Sequence, residues 1–149
     1  MKASKGRENM TLDMLRARAL EVREKAYVPY SRFPVGAALL TPDGAIYEGC
    51  NVENGSFPLS LCAERGAVAA AVAHGARQFE AVFIIGDKER AMPCGGCRQV
   101  LSEFGDMHVY VSYGEGREIN HYWLHELLPE SFHFTPSIRD EKDDTSQFK

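Results

Sequence analysis

Apolar residues recur at helical spacing through TLDMLRARALEVREKAYVPY, where Leu12, Leu15, Ala19 and Val22 form one stripe. The pattern predicts a helix capped at Thr11 or Asp13. It should end before Pro29, because the residue ahead of a proline is pushed out of the α region. The mostly polar start predicts a flexible N-terminus over residues 1–9. After Pro29 the period changes. FPVGAALL and AIYEGCNV are β-like runs flanking TPDG, whose Pro42, Asp43 and Gly44 suit a tight turn with Gly44 at positive φ, so the segment predicts a hairpin.

The alanines from Cys62 to His74 predict a second helix, which Gly75 is placed to end in the left-handed conformation. AVFIIG then reads as a buried strand, CGGCRQVLSEFG as a helix ending at Gly105, and HVYVSY as another buried strand. A last helix is predicted around INHYWLHELLP, stopping at Pro129. The polar run from Thr135 predicts a flexible tail over 135–149, which leaves 10–134 as the folded unit. Helix, hairpin, helix, strand, helix, strand is the order of an α/β fold with a mixed sheet covered by helices.

A length of 149 residues suits one domain with a substantial core, and 44% apolar with 26% charged residues is ordinary for a globular chain. The formal charge of -4, with basic residues scattered among more numerous acids, argues against a nucleic-acid partner. No apolar run approaches the roughly 18 to 20 residues of a membrane span, and the start lacks the apolar core of a signal peptide. The expected location is therefore cytoplasmic, with no membrane partner. In that reducing compartment four cysteines are expected to be metal ligands or core residues rather than disulfides.

The cysteine spacing carries the chemistry. SLCAERGAV and MPCGGCRQV each place cysteine where a loop or strand hands over to a helix. There free N–H groups and the helix dipole lower a thiol pKa, and the thiolate is the zinc-binding form. Cys94 and Cys97, three apart in a first helical turn, point to one side, and Cys62 on a neighbouring helix could bring a third sulfur to one metal. Three protein ligands leave a fourth tetrahedral position open, as in catalytic rather than structural zinc sites. Glu64 is placed to act as general acid and base, and Arg65 is the local candidate to offset the thiolate charge. A lone C-x-x-C is also found in structural zinc half-sites and redox pairs; pairing with Cys62-Ala63-Glu64 shifts the balance toward the zinc deaminase pattern.

YVPYSRFPVGAALL, GCNVEN, CAER, PCGGCRQV and ELLPESF, in this order over about residues 12 to 132, resemble the small homotetrameric cytidine deaminases. The resemblance implies a three-layer α-β-α fold with a mixed five-stranded sheet and one zinc ion per subunit. It implies hydrolytic deamination of free cytidine and deoxycytidine in pyrimidine salvage. By that resemblance Asn51 and Glu53 would hold the ribose hydroxyls, and Phe33 and Ala63 would contact the substrate. Phe132 would complete the site of a neighbouring subunit in a homotetramer. The chain departs from the family's usual pattern at Gly96, where a small residue such as Ala is common, and at Glu130-Ser131, where the family often has Gly-Ala. Alternative readings are a deaminase of another aminopyrimidine, such as blasticidin S, and a non-catalytic zinc module recruiting Cys50. Cys50 is otherwise expected to be a buried strand-end residue, His121 and His125 a helix surface, and Tyr27, Tyr30 and Trp123 packing residues.

Overall fold

The computed structural model describes residues 2–134, with backbone alone for 2–9; the tail expected to be flexible, 135–149, lies outside the described residues. A long helix α1 (Lys2–Arg23) is followed by the hairpin β1 (Val35–Leu40) and β2 (Ile46–Cys50). Then come α2 (Ala63–Ala73), β3 (Ala81–Gly86), α3 (Gly95–Ser102), β4 (His108–Tyr113), β5 (Asn120–Trp123) and a single turn α4 (Leu124–Leu127). The five strands form one mixed sheet in the order β2-β1-β3-β4-β5, parallel only between β3 and β4. That parallel step is the crossover that carries α3.

The two sheet faces explain the continuous apolar runs. Alternate residues of β1 and β3 point to opposite sides. Ala38, Leu40, Phe83 and Ile85 meet Leu15 and Ala19 of α1, while Ala37, Leu39, Val82 and Ile84 share the other core with Ala67, Val68 and Leu101. With helices on both sides, every residue of β1 and β3 is buried. Two glycines of the hairpin allow the close approach. A Cβ on Gly36 would lie 2.0 Å from the Ala19 carbonyl oxygen of α1, and one on Gly49 would lie 2.2 Å from the Ala63 carbonyl oxygen of α2. Arg23 fastens the far end of α1: its buried Nη1 donates to the carbonyls of Gly86 and Gly114, both at 2.7 Å.

The hairpin and the turns follow the sequence expectations, with Gly44, Gly75 and Gly105 all at positive φ. Two elements differ. Helix α1 starts at Lys2, so neither Thr11 nor Asp13 caps it; good helix formers such as Ala3, Lys5, Arg7 and Glu8 let the helix extend upstream of its apolar stripe. The helix expected across INHYWLHELLP is half strand. Its first part is β5, antiparallel to β4 with His108 opposite Trp123 and Tyr110 opposite His121. Tyr122 packs against the main core and Leu124 is buried in it, whereas His121 is exposed. That two-residue alternation suits β-favouring aromatics. His121 and His125 therefore share no helix face: His121 stacks on Tyr110, and the His125 ring contacts Asp106 at 2.7 Å.

Candidate active site

The C-terminal ends of β2 and β3 flank the start of β1, since Gly36 pairs with Cys50 and with Ile85 while Val35 pairs with Gly86. The loops leaving this edge lead into α2 and α3, and each helix opens on a cysteine. Cys62 is the N-cap of α2 and Cys94 the N-cap of α3, with backbone φ/ψ in the extended region that ends a loop and starts a helix. Cys97 sits one turn into α3 and is fully buried, and its N–H donates to the Cys94 sulfur at 3.4 Å.

Cys62, Cys94 and Cys97 converge with their sulfurs within 4.8 Å of one another. The Cys62–Cys94 separation is 3.9 Å, close to the edge of roughly 3.8 Å for a tetrahedron built on Zn–S bonds of about 2.3 Å. A soft, all-thiol donor set on two helix N-termini fits zinc. Cys50 stays at the end of β2 outside this cluster.

Charge is distributed unevenly among these groups. The Cys62 thiol is drawn down to about 5, first by a hydrogen bond from Cys97, and burial opposes the shift while Arg65 adds to it. Cys97 moves the opposite way because it holds the shared proton and is buried. Arg65 Nη2 lies 3.6 Å from the Cys62 sulfur and donates to the Ser60 carbonyl at 3.1 Å. Glu64, in the first turn of α2, is only 5% exposed. Burial pushes its carboxyl up to about 7, with the neighbouring Cys62 charge acting in the same direction. A carboxyl poised near neutrality beside a thiolate cluster can take and return a proton.

Asn51 and Glu53 lie on the segment after β2, as the sequence places them, but both already hold backbone. Asn51 accepts from the Val35 N–H at 2.9 Å and donates to the Phe33 carbonyl at 2.8 Å. Glu53 accepts from the Tyr30 N–H at 2.8 Å, the Ser31 N–H at 3.2 Å and the Ser31 hydroxyl, and the Ser31 bonds hold its carboxyl below the usual range. The turn they hold includes Arg32 at φ 54, the one non-glycine at positive φ among the described residues. Backbone in this sparsely populated region persists when its surroundings fix it, and Glu53 is part of those surroundings.

A cleft of about 410 Å³ opens beside Glu53, lined by Tyr30, Ser31, Phe57 and Ser60, within the size range of small-molecule sites. Tyr30 and Phe57 meet edge to face at 5.5 Å. Tyr27, Tyr30 and Trp123, expected as packing residues, are instead exposed to solvent, and both aromatics of the cleft, Tyr30 and Phe57, lie outside the site residues that the sequence suggests. Their signal was proximity in sequence to Ser31 and Glu53. Phe33 is half-buried against the main core. Ala63 is fully buried in that core, so its side chain offers no surface to the cleft. Phe132 is 71% exposed.

Residues 10–113 match the cytidine and deoxycytidylate deaminase zinc-binding region. The chain is 48% identical to a cytidine deaminase of Sporosarcina psychrophila over 126 residues, which cover 83% of this chain and 92% of that one. It is 45% identical to the cytidine deaminase of Halalkalibacterium halodurans, covering 83% of this chain and 95% of that protein. Among solved structures, the cytidine deaminase from Burkholderia pseudomallei superposes with a TM-score of 0.76 at 43% identity, covering 80% of this chain and 98% of that one. That from Mycobacterium tuberculosis does so with a TM-score of 0.68 at 38% identity, covering 83% and 98%. A three-cysteine cluster on two helix N-termini, a buried glutamate beside it and this likeness over most of the chain make it a member of the cytidine and deoxycytidylate deaminase family.

Proposed function

We propose that this chain hydrolyses the 4-amino group of free cytidine and deoxycytidine, giving uridine or deoxyuridine and ammonia. The observation that carries the reading is Glu64, buried in the first turn of the helix that Cys62 caps, beside the Cys62–Cys94–Cys97 cluster. Those three sulfurs would hold a zinc ion, which would supply Lewis-acid activation of water at neutral pH. Glu64 moves the protons: its carboxylate takes one from the attacking water and delivers it to N3 of the pyrimidine. It then takes the second proton from the new C4 hydroxyl and passes it to the amino nitrogen, which leaves as ammonia as the C4 carbonyl forms. Arg65 offsets the negative charge of the thiolates through its contact with Cys62.

Substrate contacts follow from the remaining hydrogen-bonding capacity. A carboxylate has about four acceptor sites, and Glu53, oriented by Tyr30 and Ser31, keeps room for a ribose hydroxyl. Asn51 retains one N–H and one lone pair beyond its two backbone bonds. Phe33 borders the pyrimidine from the β1 side, and Ala63 contributes through its backbone. The catalytic unit is 10–134, and it acts in the cytoplasm.

Large apolar side chains left exposed support self-association as a homotetramer. Tyr27, Tyr30, Phe57, Leu59 and Phe132 are all exposed, and large apolar surface left open is what an interface between subunits covers. Phe132 then serves as the wall of a neighbouring subunit's pyrimidine pocket.

The test offers the purified protein cytidine, deoxycytidine, cytosine, adenosine and blasticidin S separately, with ammonia release as the readout. Turnover confined to the two nucleosides of cytosine supports the reading. Turnover of blasticidin S alone overturns it.

A further inference from the structure

Gln99, in the middle of α3 and two residues beyond Cys97, closes a two-point contact with one distant residue. Its Nε2 donates to the Phe132 carbonyl at 2.8 Å, and its Oε1 accepts from the Phe132 N–H at 3.0 Å. The neighbouring Arg98 fastens the other end of the same segment: Nη1 donates to the Leu127 carbonyl at 2.8 Å, and Nε donates to the Pro93 carbonyl at 2.8 Å. The run from Leu127 to Phe132 is thus tied at both ends to the helix that presents Cys97, and that helix is tied to the residue preceding Cys94.

The Phe132 ring, at 71% exposed, does not anchor this segment by burial. Its backbone is held while its ring projects outward, the reverse of a core aromatic. Among side chains of this length only a primary amide offers a donor and an acceptor together. Leucine offers neither, and a glutamate carboxylate turns an acceptor toward the Phe132 carbonyl. We infer that Gln99 is a positioning residue, setting where the exposed Phe132 ring stands on its subunit's surface and so fixing the apolar wall it offers to the pyrimidine of a neighbouring site. The inference rests on the reading of Phe132 as a pocket wall.

The experiment compares Gln99→Leu, Phe132→Ala and the double variant in the full-length zinc-loaded enzyme. It reads kcat and KM for cytidine, zinc content, and amide hydrogen exchange over residues 128–132. Each single change should raise KM about tenfold, the size of losing one aromatic that stacks on a base. The double should be no worse than either alone, since both remove the same contact. Gln99→Leu should also speed exchange at Phe132 and leave zinc content unchanged. If Gln99→Leu does not fold, Gln99→Glu carries the same comparison. Normal KM and normal protection in the Gln99 variant, beside a raised KM in Phe132→Ala, overturn the inference, as does a double equal to the product of the singles. A normal KM in Phe132→Ala overturns the wall reading and the inference with it; exchange at Phe132 then separates that failure from the absence of a tether.

Discussion

The guanidinium of Arg65 lies 3.6 Å from the sulfur of Cys62, and its bond to the Ser60 carbonyl holds it there. Three thiolates around a divalent cation carry a net negative charge, and every proton in such a field is held more tightly. Arg65 counters that field from within the first turn of α2. In Arg65→Gln the rate at pH 7 should fall, and part of it should return as pH rises, because the acid limb of the pH–rate profile moves upward. A defect confined to KM, with an unshifted profile, would move Arg65 from charge compensation to substrate binding.

Glu64→Gln should keep the metal and the fold and lose nearly all turnover, at least a hundredfold on the scale of general acid–base catalysis. Stability gives an independent check in the chelator-stripped protein. The folded-state carboxyl is raised to about 7, so between its ordinary value and 7 the folded chain holds a proton that the unfolded chain has released. The stability this proton gives is present at low pH and lost as pH rises through 7. Glu64→Gln should therefore become the more stable of the two above pH 7, by up to about 3 kcal/mol. Urea unfolding at pH 5 and pH 8 measures the crossover, and parallel curves at both values would contradict a buried, raised carboxyl.

The cysteine placements were legible because they are local, although the meeting of Cys62 with Cys94 across 32 residues is tertiary. Cys62 and Cys94 are N-caps, Cys97 follows Cys94 by one turn, and cysteine at a helix start has a chemical use that its spacing reveals. The hairpin was legible for the same reason, since Gly44 at φ 87 sits inside a turn that its own neighbours specify. What escaped the sequence depends on distant partners. Strand β5 is four residues long and becomes a strand by pairing with β4, so local pattern cannot separate it from the helix turn that follows. Asn51 and Glu53 were visible as polar residues at a strand end. Their bonds to the 30–35 backbone join segments about twenty residues apart, and no periodicity encodes that.

Cys97→Ala should release zinc, because two remaining thiolates bind it weakly, and should destabilise the protein. Cys50→Ala should keep zinc, since Cys50 lies outside the cluster. Metal analysis of both purified variants decides the ligand set: full zinc in the first, or none in the second, contradicts it.

Gly49→Ala should disturb the site from a distance. A Cβ there would meet the Ala63 carbonyl at 2.2 Å and the Ala67 nitrogen at 2.3 Å, both backbone atoms of α2 that cannot swing aside. The helix must shift away from β2 and carry Cys62, its N-cap, with it. The expected cost is roughly 1–3 kcal/mol of stability, with weaker zinc retention in a chelator competition. Unchanged stability and retention would mean that α2 and its cysteine are not held by this contact.

Composite sites predict complementation between two crippled chains. Phe132 is exposed near the end of the described residues, while Glu64 is buried within its own subunit. If the aromatic wall comes from a neighbour, a site needs Glu64 from one chain and Phe132 from another. Glu64→Gln and Phe132→Ala should each be impaired alone. When the two are mixed under conditions where subunits demonstrably exchange, some hybrid sites combine the intact Glu64 of one parent with the intact Phe132 of the other. Activity at subsaturating cytidine should then exceed the sum of the parents and grow with the extent of exchange. Sites built within a single subunit cannot be repaired in this way, because every chain carrying a working Glu64 carries its own defective wall. Complete exchange without a gain would therefore assign Phe132 to its own subunit.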